Sequence, residues 1–130
     1  CSQAAGKVMR EQRKGSIINM ITGSLYHLCP HGAGPYMIAK AGIAMLTQVL
    51  AVELGEYNIR ANAIAPGVIK TDFSYPLWSK EEVLAKWERQ IHLGRIGQPD
   101  DIAGLAVFLA SEASTYVTGV VVTADGGLQG

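Results

Sequence analysis

The sequence predicts an α/β fold with a parallel sheet, and three observations predict it. Ser16 to Ile21 and Asn58 to Ala65 are short runs with the near-continuous apolar character of strands buried on both faces. Between them, Tyr36 to about Gly55 is too long for a strand and carries apolar residues almost all round. Each strand candidate ends in turn chemistry, Thr22-Gly23-Ser24 after the first and Pro66-Gly67 after the second. Strand, helix and strand in that order describe a parallel α/β unit, whose ligands lie at the C-terminal ends of the strands.

The remaining elements follow in chain order. Residues 2 to 13 place Ala4, Ala5, Val8 and Met9 on one helical stripe with charges opposite, and Lys14-Gly15 closes that helix with a cation and a glycine. Tyr26 to Pro35 is a glycine- and proline-rich loop. The stretch from Asp72 carries Phe73, Tyr75, Pro76, Leu77 and Trp78. Ser79-Lys80-Glu81-Glu82 then reads as a capping box opening a helix to Gln90, with Val83, Leu84 and Trp87 on its apolar stripe. Pro99 to Ala110 is a second such helix, with proline and acidic residues in its first turn. Ser111 to Thr118 is a linker, and Gly119 to Thr123 a last buried strand before Ala124-Asp125-Gly126-Gly127.

Composition narrows the function. The 130 residues have the length of one domain, and 48% hydrophobic content is ample for a core. Formal charge is zero, so no basic surface is expected to attract nucleic acid or an anionic membrane. The apolar run from Ala41 to Val52, broken by Thr47-Gln48, is too short to span a bilayer, and no signal peptide is visible. Two cysteines, Cys1 and Cys29, lack metal-ligand spacing and suit a reducing compartment, although a single bridge between them stays open. The His27/His31 pair falls in a loop with Pro30 between, where the i,i+4 spacing of a helical metal site has no meaning, and no metal is expected. A small molecule is the partner this composition favours.

The chemistry concentrates at Tyr36-Met37-Ile38-Ala39-Lys40. Side chains four apart on a helix project from one face, one turn apart, so the Lys40 ammonium comes within electrostatic reach of the Tyr36 phenol. A cation at that distance favours the phenolate, which suits Tyr36 to exchange a proton with a substrate hydroxyl near neutral pH. Thr22 and Ser24, at the end of the first strand, are the hydroxyls that could meet it. Pro66-Gly67 turns the chain on the same rim, where glycine lets backbone approach a ligand.

The ordered set of Gly15-Ser16-Ile17-Ile18-Asn19-Met20, Thr22-Gly23-Ser24, Tyr36-x-x-x-Lys40, Asn62-Ala63-Ile64-Ala65-Pro66-Gly67, Gly94 to Ala103 and Thr123-Ala124-Asp125-Gly126-Gly127 resembles the C-terminal half of the classical short-chain dehydrogenase/reductase family, over nearly the whole chain. The resemblance implies the C-terminal half of a Rossmann-type doubly wound parallel sheet. It implies a cytoplasmic enzyme that interconverts a secondary alcohol and its ketone with NAD or NADP. Within the family the flavour is that of sugar-acid and polyol dehydrogenases, such as gluconate 5-dehydrogenases.

Carried over residue by residue, the resemblance implies Tyr36 as general acid/base and Lys40 as the cation that also holds the nicotinamide ribose. Counting from Gly15 and Asn19 makes Thr22 the substrate-orienting hydroxyl, whereas residue identity favours Ser24 with a shorter loop, and both stand. Pro66, Gly67, Val68, Ile69 and Thr71 become cofactor contacts, and residues of about 72–98 a mobile lid over the substrate. The Tyr36 helix and the one before it imply a homodimer or homotetramer. Family members are roughly twice as long, and their first half carries the glycine-rich diphosphate turn, which is not found here. With Cys1 opening in mid-helix, the expectation is a single partial domain. It is either part of a working enzyme or, as the alternative, a truncated non-catalytic module that dimerises through its apolar helix.

Overall fold

Strand β2 (Ile59–Pro66) lies at the centre of a three-stranded parallel sheet, between β1 (Gly15–Met20) and β3 (Val121–Ala124). Gly15 pairs with Ile59 and Met20 with Ile64 on one side, and Ala63 pairs with Val121 on the other. The structure is a computed structural model that describes residues 2–26 and 31–128. The expectations for Cys1, Cys29 and His27 therefore lie outside the described residues.

Side-chain alternation along β2 explains why helices cover both faces. Ile59, Ala61, Ala63 and Ala65 face α2 (Gly34–Leu54), packing with Ile17, Ile43, Ala44, Leu50 and Ala51. Alanine on that face lets the helix approach closely. Arg60 and Asn62 serve the other face. The Arg60 guanidinium donates to the Leu109 and Ser111 carbonyls at 2.8 and 3.1 Å, and the Ser16 hydroxyl donates to the same Leu109 carbonyl at 2.8 Å. These bonds satisfy the carbonyls that the end of α4 (Pro99–Ala110) leaves open. Asn62 donates to Val117 O at 2.8 Å and accepts from Val120 N at 3.3 Å, which leads the chain into β3. Helices α2 and α4 thus cover opposite faces, and the doubly wound α/β half is as expected.

Helix α1 (Ser2–Gln12) lies on the α2 side, with Gly6 against Leu54 and Met9 packed on Ile17 and its neighbours. Buried Thr47 ties α2 to the sheet: its hydroxyl donates to Ile43 O and accepts from the Asn19 amide, both at 2.9 Å. That tie fixes where the first turns of α2 stand over the end of β1.

The helix carrying Tyr36 buries one stripe within its own chain: Met37, Thr47, Leu50 and Ala51 are buried, while Ile38 and Val52 are 75% and 83% exposed and Met45, Leu46 and Val49 are also open. Two expectations need correction. That helix is not too short for a bilayer. Gly34 to Tyr57 is 24 continuous residues of mean hydropathy 1.5, enough by length and composition to cross one, because helical geometry continues well past the apolar run at both ends. The Ser79 capping box does not form. The Ser79 amide donates to Tyr75 O at 2.9 Å and belongs to the preceding turn, while extended Lys80 precedes α3 (Glu81–Gln90) without a side-chain cap.

Smaller shifts have local causes. Asn58 is a left-handed residue (φ 60°) that stops the turn after α2, so β2 begins one residue later than its sequence suggests. Helix α4 keeps its predicted bounds, and its Asp101 carboxylate accepts from Gln98 N at 2.7 Å to cap the first turn.

Candidate active site

Pro35 fixes the first turn of α2, and Tyr36 follows it at the rim of the sheet. Tyr36 is 39% exposed, so the residue lies at the surface rather than packed in the interior. Lys40 stands one turn further along, as the spacing predicts. Its ammonium lies 5.7 Å from the centre of the Tyr36 ring and donates to Met20 O at 2.9 Å. The last carbonyl of β1 thus draws the cation to the strand end that carries the candidate hydroxyls.

Those hydroxyls differ in environment. Thr22 is buried and extended, and its Oγ1 accepts from Ser24 N at 3.3 Å, opening one tight helical turn over Gly23–Leu25. Ser24 is half-buried, and its Oγ has no hydrogen-bond partner among the described residues. Gly23 holds the turn against β2: a Cβ there would stand 3.1 Å from Pro66 O. The Thr22–Ser24 segment and the Pro66–Gly67 end are in direct contact as a result.

Gly67 has a task that the sequence reading did not assign to it. A Cβ there would stand 2.6 Å from the Asp125 Cβ and 2.7 Å from its Cα, so the missing side chain makes room for the end of β3. Beyond it, Val68 sends its side chain into a cluster with Ile91, Ile96 and Leu128. The carbonyls of Val68 and Ile69 and the amides of Lys70 and Thr71 are all engaged, by Gly97 N, Ser74 Oγ, Gly97 O and Ser74 Oγ respectively. The Val68 and Ile69 amides are donors with no partner among the described residues. They point to backbone recognition of an acceptor group, and exposed Thr71 adds a hydroxyl beside them.

Sequence reasoning missed two supports of this run. Gly97 bridges Ile69 in a short parallel pairing, where a Cβ would lie 2.5 Å from Ile69 Cδ1. The Gly94 to Asp101 motif is therefore a strut beneath the cofactor-contact candidates, clamped by a two-pronged Arg95–Asp101 pair at 2.7 and 2.8 Å. The Arg95 hydrogen bonds, and then the Gln98 amide, hold the Asp101 carboxyl well below the usual carboxylate range. The second support is Ser74, buried between exposed neighbours. Nothing about a serine between two aromatics announces that role.

Known proteins resemble this chain in sequence and fold. A family model described as Enoyl-(Acyl carrier protein) reductase matches residues 1–129. The chain is 44% identical over 126 residues to a 3alpha-hydroxysteroid dehydrogenase of Mediterraneibacter gnavus, covering 97% of this chain and 49% of that protein. It belongs to the short-chain dehydrogenase/reductase family. Among solved members, a gluconate 5-dehydrogenase from Burkholderia cenocepacia in complex with NADP and tartrate superposes with a TM-score of 0.92 at 34% identity, over 98% of this chain and 49% of that one. A 3-oxoacyl-(acyl-carrier protein) reductase with bound NAD from Brucella melitensis gives 0.87 at 37% identity, over 98% and 45%. The chain spans about half the length of the curated relatives it matches.

Proposed function

We propose that this chain is the catalytic half of an NAD(P)-dependent short-chain dehydrogenase/reductase that interconverts a secondary alcohol and its ketone in the cytoplasm. The observation that carries the reading is the half-open Tyr36 phenol, with the Lys40 ammonium beside it and anchored to Met20 O at the strand end. Tyr36 passes the proton to or from the substrate oxygen, and Lys40 supplies the positive charge next to it. Thr22 or Ser24 donates to that oxygen and steadies the charge that develops there. Of the two, Ser24 has the less occupied hydroxyl, while Thr22 keeps the strand-end position.

A nicotinamide cofactor fits the residues present. The Val68 and Ile69 amides, the Pro66–Gly67 turn and the Thr71 hydroxyl offer contacts for its carboxamide and phosphate side, and Lys40 and Tyr36 for its ribose. When bound, the cofactor gives or takes the hydride; the protein supplies position and electrostatics. The relatives named for gluconate and hydroxysteroid dehydrogenation support a polyol, sugar acid or ring alcohol as substrate.

The exposed apolar stripe of α2 favours a homodimer or homotetramer formed through that helix, and it also supports a second reading, a module that dimerises without catalysis. Nicotinamide absorbance, followed with a panel of polyols and ketones, separates the two. It is measured on this chain and on a version extended at its N-terminus. Turnover that Tyr36→Phe abolishes supports the enzyme. A tight homodimer with no cofactor affinity in either form supports the module.

A further inference from the structure

The segment after the Pro66–Gly67 turn is tied together by one buried side chain. Ser74 is 9% exposed, and its Oγ donates to Ile69 O, accepts from Thr71 N at 3.0 Å and lies 3.2 Å from Thr71 Oγ1. The Trp78 indole N–H reaches the same hydroxyl at 3.2 Å and Thr71 O at 3.1 Å. Lys70 stands over the Trp78 ring at 4.9 Å, and Tyr75 meets that ring edge-on at 4.9 Å. A loop pinned this way at 69, 71, 74 and 78 has little freedom, and the residue inside the clasp is turned outward.

That residue is Phe73. The residue is 84% exposed, yet its ring centre is 6.4 Å from that of Tyr36, tilted by 32°. An exposed aromatic ring held beside the proton-transfer tyrosine is an apolar wall waiting for a ligand.

We propose that Phe73 is a specificity-determining residue that packs on the C–H face of the substrate next to its carbinol carbon, and that Ser74 is the positioning residue that keeps it there. The preferred substrate class is a ring alcohol or a sugar presenting a C–H face, rather than a short open-chain alcohol. The proposal rests on Tyr36 being the proton-transfer group, since Phe73 is placed relative to it. Because Ser74 also occupies the amide and hydroxyl of Thr71, the wall and the cofactor-contact run move as one unit.

The test compares KM for cyclohexanol and for 2-propanol in the protein carrying this chain and in Phe73→Ala, Ser74→Ala and Ser74→Thr. Phe73→Ala raises KM for cyclohexanol about tenfold, the worth of roughly 50–60 Å² of apolar contact, and leaves 2-propanol within about twofold. Ser74→Ala raises KM for cyclohexanol more than for 2-propanol and speeds amide hydrogen exchange across residues 71–78, and Ser74→Thr, which keeps the hydroxyl, reverses both effects. Equal changes for the two alcohols in Phe73→Ala, or unchanged exchange in Ser74→Ala, overturn the proposal. Tyr36→Phe in the same assay tests the reading beneath it: surviving turnover sinks that reading whatever the KM ratio does, and lost turnover with an unmoved ratio in the other variants sinks only the role of Phe73 and Ser74.

Discussion

Strand β2 and the segment that follows it are joined end to end, yet different forces hold them in place. Along β2, Ile59, Ala61, Asn62, Ala63, Ile64 and Ala65 are essentially inaccessible, so water is absent and packing dictates position. From Thr71 to Leu77 every residue except Ser74 is exposed, and hydrogen bonds to one hydroxyl replace the missing core. Evolution can therefore change what the loop presents without disturbing the sheet beneath it. The candidate chemistry sits where these two regimes meet.

The largest expected effects contrast them most directly. Tyr36→Phe removes a partly exposed hydroxyl, so the unfolding midpoint stays nearly constant while turnover falls by about 100- to 10,000-fold, the usual worth of a positioned acid/base. Ile64→Ala does the reverse, costing about 2–5 kcal/mol in denaturant unfolding and leaving KM alone in whatever fraction stays folded. If Tyr36→Phe unfolded the protein, or Ile64→Ala changed KM, the division between scaffold and rim would fail.

A finer effect decides between the two hydroxyls. Loss of a well-aimed donor to the substrate oxygen costs about 100- to 1,000-fold in kcat, and only one of Thr22→Val and Ser24→Ala should show it. Thr22→Val also removes the acceptor for Ser24 N, so a drop there accompanied by a lower melting temperature marks a structural cap. A drop in Ser24→Ala with melting unchanged assigns the donor to Ser24.

The same contrast explains what could be read beforehand. Packing leaves periodic traces, and β1, β2, α1, α2 and α4 were legible to within a residue or two from apolar runs, Pro35, Pro99 and the Lys14-Gly15 stop. Tyr36 and Lys40 were legible because helical spacing alone puts them on one face. The hydrogen-bonded turns were not. Ser79 has the look of a cap but is claimed by Tyr75 O, Gly67 spends its missing side chain on Asp125, and the Ser74 clasp has no periodicity to reveal it. The all-round apolar pattern of α2 shows that something covers it without saying what, and one strip of the helix faces no part of its own chain.

The smallest effect comes from acid. Asp101 caps α4 through Gln98 N and pairs with Arg95, and both interactions depress its carboxyl in the folded state. A depressed carboxylate contributes stability that is fully present above its unfolded value near ~4 and is lost as pH falls through the folded one. Glu112 behaves likewise through Lys14, at the other end of α4. Urea midpoints should therefore be flat from neutral pH down to about 4 and decline below it. Because both pairs are solvent-exposed, the decline is shallow and weakens with salt. Asp101→Asn keeps an acceptor for Gln98 N but removes the charge, so it should flatten the acid slope while preserving most of the cap. A slope identical to that of the unmodified chain would mean that the strut under residues 68–70 owes nothing to the Arg95–Asp101 charge pair, and that Gly97 pairing alone supports the rim.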